Sequence, residues 1–257
     1  MFMKVLWLFA HPEPRSLNGS LKDEGVRALK ADGHEVRVSD LYAMKWNPVV
    51  DADDYGHDRT ERLDVARSSH EAYETGRLAP DIAAEQEKLL WADAMIVQFP
   101  LWWYGMPAIL KGWFDRVFVK GFGYGVQGED GRTLRYGEGR LAGKRAMVVL
   151  TAGAFEPSLG PRGINGSLES VLFPLQHGTL WYSGMSVLPP LLVPAANRVS
   201  DDQYATAADR LRDRLRTLAT TPPLPYRTQN GGDYDEDLVL RPGLAPDRTD
   251  LTIHQHP

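Results

Sequence analysis

Apolar residues in this chain fall in short dense blocks separated by polar stretches. Lys4 to Ala10 (KVLWLFA), Ala94 to Phe99 (AMIVQF) and Arg145 to Leu150 (RAMVVL) are nearly continuous apolar runs of strand length. Such runs suit a parallel sheet covered on both faces. Glu35 to Asp40 (EVRVSD) alternates as a short strand. Ser186 to Pro194 holds a last one, whose prolines predict an edge-like or irregular strand. Helical spacing lies between them. Gly19 to Ala31 reads as a helix stopped by Asp32-Gly33-His34, and Asp81 to Trp91 as a second. A third begins at Pro107 and carries Ile109, Leu110, Trp113, Phe114, Val117 and Phe118. Leu168 to Leu180 reads as a helix interrupted by Pro174, and Asp201 to Leu218 as an amphipathic one. Leu41 to Pro80 is polar and irregular, and Gly121 to Arg140 reads as a long loop.

The spacing predicts an α/β fold, a doubly wound five-stranded parallel sheet with helices on both faces. Residues 1–220 form that domain. Residues 221–257, rich in Gly, Asp and Pro, form an extended C-terminal tail. Sheets of this kind bind ligands beyond the C-terminal ends of their strands. That rule selects three loops, 11–18, 100–106 and 151–166. In the first, His11, Arg15, Ser16 and Asn18 precede a helix whose free N–H groups favour a phosphate, although Ser16 or Asn18 can equally serve as a cap. In the second, Trp102, Trp103 and Tyr104 are three adjacent rings that cannot all point inward, so at least one lines a pocket or an interface. In the third, Thr151, Ala152 and Gly153 are small enough for close approach of a ligand to the backbone.

Composition narrows the chemistry. The 257 residues include no Cys, which excludes disulfides and thiolate sites. The formal charge of -5 gives no electrostatic case for nucleic acid. No stretch approaches a membrane span. The opening apolar run is followed at once by His11-Pro12-Glu13-Pro14, and reads as a first strand in a cytoplasmic protein rather than a signal peptide. The 7 His are scattered, the first loop carries no G-x-G-x-x-G, and there is no HExxH, Walker or G-x-S-x-G motif, so no metal site is expected. An aromatic-walled pocket with a phosphate loop and no nucleophile points to a cofactor that carries the chemistry itself, such as a flavin.

Three segments resemble the NAD(P)H:quinone oxidoreductases of the DT-diaphorase type, over roughly residues 4–226. They are Phe99 to Phe118 (FPLWWYGMPAILKGWFDRVF), Ala10-His11-Pro12 with Ser16-Leu17-Asn18, and Pro174 to Leu180 (PLQHGTL). The resemblance implies a flavodoxin-like fold, bound FAD rather than FMN, a homodimer with active sites at its interface, and ping-pong transfer of two electrons from NAD(P)H to a quinone. Other acceptors (azo, nitroaromatic or natural-product compounds) would use the same pocket. Some relatives are soluble regulatory partners of potassium-efflux transporters. It also implies site residues. His11, Ser16, Leu17 and Asn18 hold the phosphates and adenosine side. Pro100, Leu101, Trp103 and Tyr104 follow the ribityl chain and ring, with Trp102 where mammalian members carry Gln. Thr151, Ala152 and Gly153 approach the ring edge, and Tyr124 borders the substrate site across the dimer. The family's active-site His aligns with Asn165, and its Tyr has no clear counterpart. Charge on the reduced ring is then expected to meet Arg162 or the backbone N–H groups of 152–154. The tail is expected to cover the adenosine half or the partner subunit. The apolar residues on several faces of the helix after Pro107 are expected to be absorbed by a subunit interface.

Overall fold

The computed structural model describes residues 2–257. Its central sheet runs in the order β2 (Glu35–Asp40), β1 (Lys4–Phe9), β3 (Ala94–Pro100) and β6 (Arg145–Thr151), all parallel. The fifth place is shared by β7 (Ser186–Val187) and β8 (Leu191–Val193), which pair with opposite ends of β6. Pro189 and Pro190 separate them, because proline offers no N–H to the ladder. The irregularity expected for the last strand is this interruption.

The continuous apolar runs are explained by burial on both faces. Alternate residues of β1, β3 and β6 enter two separate cores. Leu6, Leu8, Val97, Phe99, Val148 and Leu150 pack with α3 (Pro80–Trp91), α4 (Ala108–Val117) and α5 (Leu168–Leu175). Val5, Trp7, Phe9, Ile96, Met147 and Val149 pack with α1 (Leu17–Ala31) and α6 (Asp201–Arg216). Pro107 stands at the N-cap of α4 rather than in its first turn. Residues 121–140 contain a two-stranded hairpin, β4 (Val126–Gln127) with β5 (Thr133–Leu134).

The polar segment 41–80 is more ordered than its pattern predicts. It holds a single 3-10 turn, Ala52–Tyr55, with a capping box from Asp51, and α2 (Val65–Glu74), capped by Asp64. Helix α2 buries only Ser68, Ser69 and Ala72, so it has no apolar stripe to read. A buried cation secures the segment. Arg116 of α4 pairs with Asp54 at 2.6 Å and Asp81 at 2.7 Å, donates to the Asn47 carbonyl at 3.1 Å and lies over the Trp46 ring. In α4, a Cβ on Gly112 would meet the Pro48 carbonyl oxygen at 2.1 Å, so only glycine permits this close approach.

Two expectations fail here. Trp113, Phe114 and Val117 of α4 are buried within this chain, against Phe118 and Phe122, so the helix leaves no apolar excess for an interface. Pro174 does not interrupt its helix either. It sits inside α5, which widens into a π-helix over Gln176–Trp181, and Thr179 Oγ1 donates to the Pro174 carbonyl at 3.0 Å.

The tail packs on that π-helix. Its anchor is polar: Arg227, buried, pairs with Asp233 at 2.6 Å and donates through Nε to the Ile253 carbonyl at 3.0 Å, while its backbone N–H donates to the His254 carbonyl at 2.9 Å. Tyr226 bridges to Gln255 and lies against His177, which stacks on Phe173 at 4.5 Å. The tail therefore covers residues 173–182 of its own chain. Burial pushes the His177 imidazole down from 6.5 to about 4, helped by the nearby His254.

Breaking the Arg116 cluster should leave Asp54 buried and uncompensated. Arg116→Met is expected to lower unfolding free energy by about 3–5 kcal/mol, read from urea denaturation; a loss below about 1 kcal/mol would contradict it. Between pH 4 and 6.5 the unfolded chain takes up a proton at His177 that the native state refuses. Stability should therefore rise with pH across that window, by about 3 kcal/mol at 1.36 kcal/mol per unit, and level off above it. His254 is shifted in the same direction and adds to the slope. His177→Phe, which keeps the stacking, should flatten much of this dependence, and an unchanged slope would remove His177 as its source.

Candidate active site

The loop from β1 to α1 is shaped by its own hydrogen bonds. Ser16 caps α1, its Oγ accepting from Gly19 N–H at 3.1 Å. His11 Nδ1 lies 3.1 Å from both the Glu13 backbone nitrogen and the Glu13 carbonyl oxygen, and 3.0 Å from Ser16 Oγ. Gly19 and Ser20 N–H groups are used by Ser16, which leaves those of Leu17 and Asn18 unpaired among the described residues. A helix N-terminus with two free N–H groups attracts an anion. A Cβ on Gly19 would meet the Pro14 carbonyl oxygen at 1.9 Å, so the loop closes on the helix only with glycine there. Arg15 is turned away from this task. It is exposed and bonded to Glu13, whose carboxyl it holds down to about 2 through side-chain and backbone hydrogen bonds.

Asn18 ties the loops together. It is buried, its Nδ2 donates to Thr151 Oγ1 at 2.8 Å, and its backbone carbonyl accepts from Gln98 Nε2 at 2.8 Å. Gln98 Oε1 in turn accepts from Trp7 Nε1 at 2.9 Å. The Asn18 Oδ1 atom is buried without a partner. An orphaned acceptor of this kind costs roughly 1–3 kcal/mol unless a ligand or water donates to it.

The β3–α4 loop carries strain. Trp102 and Gly105 exchange both backbone hydrogen bonds at 3.0 Å, closing a two-residue turn. Its central residues, Trp103 and Tyr104, have φ of 49° and 59°. Such a turn normally takes Asn-Gly, and bulky residues with positive φ are strained by roughly 1–3 kcal/mol each. The turn throws Trp103 outward, 98% exposed. Trp102 leans against the His11 ring at 6.2 Å, and the Tyr104 hydroxyl bonds Asn165 Oδ1 at 2.8 Å.

The loop after β6 uses less of its backbone for a ligand than expected. Ala152 N–H is bonded to the Val193 carbonyl at 3.0 Å, and its carbonyl to Ala196 N–H at 2.9 Å. Gly153 is the member of the trio left open.

His11, Ser16, Leu17, Asn18, Pro100, Leu101, Trp102, Thr151 and Gly153 line one cavity of about 230 Å³. Three separately chosen loops thus meet at one place. Ala196 and Asn197 complete it. They follow β8, and the strand-end rule would have selected them had it been applied to the last strand as well. Trp103 and Tyr104 stand outside this cavity on the strained turn, and Ala152 lies behind its wall. Arg162 is exposed. Asn165 is joined to Tyr104 but does not line the cavity. Tyr124 is half-buried near Tyr55, also outside it. A second cavity of about 470 Å³ lies between Phe173, His177 and the tail residues Tyr234 and His254, and takes in Pro174 and Gly178 of the sequence segment 174–180. Among the described residues no group of three or more His, Asp or Glu is placed to hold a metal, and no helix is long and apolar enough to cross a membrane.

The cavity fits a phosphate-bearing cofactor with hydroxyl groups. The orphaned Asn18 Oδ1 matches a hydroxyl donor, and the free N–H groups of Leu17 and Asn18 match a phosphate. The family described as having the flavodoxin-like fold matches residues 3–215. A ribosyldihydronicotinamide dehydrogenase-like protein of Penicillium crustosum is 49% identical over 235 residues, 90% of this chain and 87% of that protein. NAD(P)H dehydrogenase [quinone] 1 of Rattus norvegicus is 39% identical over 225 residues, 87% of this chain and 80% of that protein. A crystal structure from Klebsiella pneumoniae, of a protein assigned as a candidate quinone reductase, superposes with a TM-score of 0.95 at 50% identity, covering 99% of this chain and 100% of that one. The chain belongs to the flavodoxin-like NAD(P)H:quinone oxidoreductase family.

Proposed function

We propose that this chain is an FAD-dependent enzyme that moves two electrons from NAD(P)H to a quinone, as a homodimer in the cytoplasm. Residues 1–220 are the flavin domain in this reading and 221–257 an appendage to it. The observation that carries the proposal is the meeting of the three strand-end loops in one cavity, with an orphaned buried acceptor and two unpaired helix N–H groups on its wall. When bound, a flavin supplies a ring that takes up a hydride and returns two electrons.

The chain's own residues bind, orient and shield. Leu17 and Asn18 N–H groups, with the His11 side chain, hold the phosphates. Asn18 Oδ1 accepts from a hydroxyl of the linking chain. Pro100, Leu101 and Trp102 wall the cofactor on one side, and Thr151 and Gly153 on the other. Ala152 acts by fixing the loop to β8, since its backbone is already engaged. Trp103 and Tyr104 extend the wall outward, where a flat donor or acceptor can stack. Tyr124 lies outside the cavity of its own chain, and in this reading borders the acceptor site of the partner subunit. One stacking place serving donor and acceptor in turn makes turnover ping-pong. The length of the chain and its Pro222 to Tyr226 segment, like those of longer relatives, favour FAD over FMN.

Denaturing release of the chromophore followed by mass measurement should give FAD. A mass of FMN would correct the cofactor, and a protein that carries neither and takes up neither would overturn the proposal. Initial rates with varied quinone should give parallel double-reciprocal lines with NADH, NADPH and dihydronicotinamide riboside compared side by side. Intersecting lines would contradict a single shared site.

A further inference from the structure

The cavity of about 470 Å³ between the π-helix and the tail is lined largely by rings. Phe173 stacks on His177 at 4.5 Å and 13°, Tyr136 lies 5.1 Å from the same imidazole at 32°, and Tyr234 stacks on His254 at 5.9 Å and 18°. Walls of this kind present flat faces to a flat ligand. His177 is only 9% exposed, yet among the described residues its ring nitrogens make no hydrogen bond. A buried polar ring without a partner is costly, so its natural partner is a group that enters the cavity. Two sets of donors stand on the same wall. Arg227 is committed through Nε to the Ile253 carbonyl and through Nη1 to Asp233, which leaves Nη2 without a partner among the described residues. Arg135 Nε can only donate to Gln229, so the atom facing it is Oε1 and the Nε2 donors of Gln229 are left over. Both Arg227 and Gln229 line the cavity, and no Asp or Glu does. Tyr136 and Leu238, which line it from the chain after β5 and from the tail, are held at φ of 51° and 64°. Strained residues and π-helical turns both gather at ligand sites.

We propose that this cavity is a second ligand site and that it takes a planar aromatic carboxylate bearing a ring hydroxyl. The stacked rings hold the face of the ligand. Arg227 Nη2 and Gln229 Nε2 donate to its carboxylate, and the guanidinium makes that contact charge-assisted. Burial keeps His177 neutral near pH 7, so one ring nitrogen donates and the other accepts, and a hydroxyl can meet either. A cationic ring would face the guanidinium, and an aliphatic acid of the same charge could not use the ring faces. The strand-end cavity shares no lining residue with this one, and binding here does not depend on the flavin reaction. A ligand in this place joins the helix carrying Phe173 and His177 to the tail carrying Arg227, Tyr234 and His254, and so tightens the tail.

Calorimetric titration of the full-length protein with 6-hydroxy-2-naphthoate should show saturable binding. Gln229→Leu, which removes the amide donors and leaves the Arg227 anchor in place, should weaken it about tenfold, the order of one hydrogen bond to a charged group. His177→Phe, which keeps the stacking and removes both ring nitrogens, should weaken it about fivefold. The probe 2-naphthol, a flat ring with a hydroxyl and no carboxylate, should bind at least about tenfold more weakly than the acid. Bound ligand should also slow backbone amide exchange at Arg227 and through tail residues 233–241, while exchange in the central sheet stays the same. An affinity unchanged in either variant would place the probe elsewhere and overturn the proposal. So would 2-naphthol binding as tightly as the acid, tail exchange that the acid leaves unaltered, or no heat at about 1 mM probe.

Discussion

One buried amide side chain, Gln98, connects the sheet to everything the site does. It lies at the C-terminal end of β3, fully buried, between Trp7 of β1 and the backbone of Asn18 on α1. Burying an amide in a sheet core is costly unless its bonds are made. Here Oε1 takes the indole N–H and one Nε2–H goes to the Asn18 carbonyl. That second bond sets the depth of α1 on the sheet, and so places the N–H groups of Leu17 and Asn18 at the cavity. The Asn18 side chain extends the line to Thr151 at the end of β6. Leu101 N–H, donating to the Thr151 carbonyl at 2.8 Å, brings the middle loop into the same register. The polar line Trp7–Gln98–Asn18–Thr151 therefore crosses three strand ends, and one acceptor at its end is left for a ligand.

The parts of the fold that depend on burial alone were legible in the sequence. Strands β1, β3 and β6 are sealed on both faces, and a run such as KVLWLF has few other structures open to it. The strand-end rule then located the cavity from topology before any chemistry was considered. Features that depend on polar or local terms were not legible. Helix α2 is held by an Asp64 cap and by its neighbours rather than by an apolar stripe. Segment 41–80 is organised from outside itself, by Arg116 some 35 to 69 residues along the chain from its partners. Pro174 reads as a breaker, yet the helix runs through it and continues as a π-helix over Gln176–Trp181.

The same contrast holds within the site. Ser16 at the start of a helix could be read as a cap, which it is, whereas the unpaired N–H groups of Leu17 and Asn18 behind it needed coordinates. Nothing in the letters Trp103 and Tyr104 announces positive φ, because residue type argues against it. The pairing of Tyr104 with Asn165, 61 positions apart, needed coordinates. Apolar content was a poor guide to assembly. Helix α4 is rich in aromatic residues and keeps them in its own core, while the nearly bare ring is Trp103, on the strained turn. The anchor of the tail was not legible either, because it is Arg227, a charged residue buried with Asp233 and two backbone carbonyls, and not an apolar side chain.

The dependence of cofactor binding on the buried polar line can be measured directly with Gln98→Met, which keeps the volume of the side chain and removes both hydrogen bonds. Titration of the flavin-stripped variant with FAD, followed by flavin fluorescence, should show an affinity at least tenfold weaker than that of the unaltered protein, while far-ultraviolet circular dichroism stays the same. An unchanged affinity in a variant lacking both bonds would mean that α1 and its N–H groups are placed by packing alone, and would contradict the account.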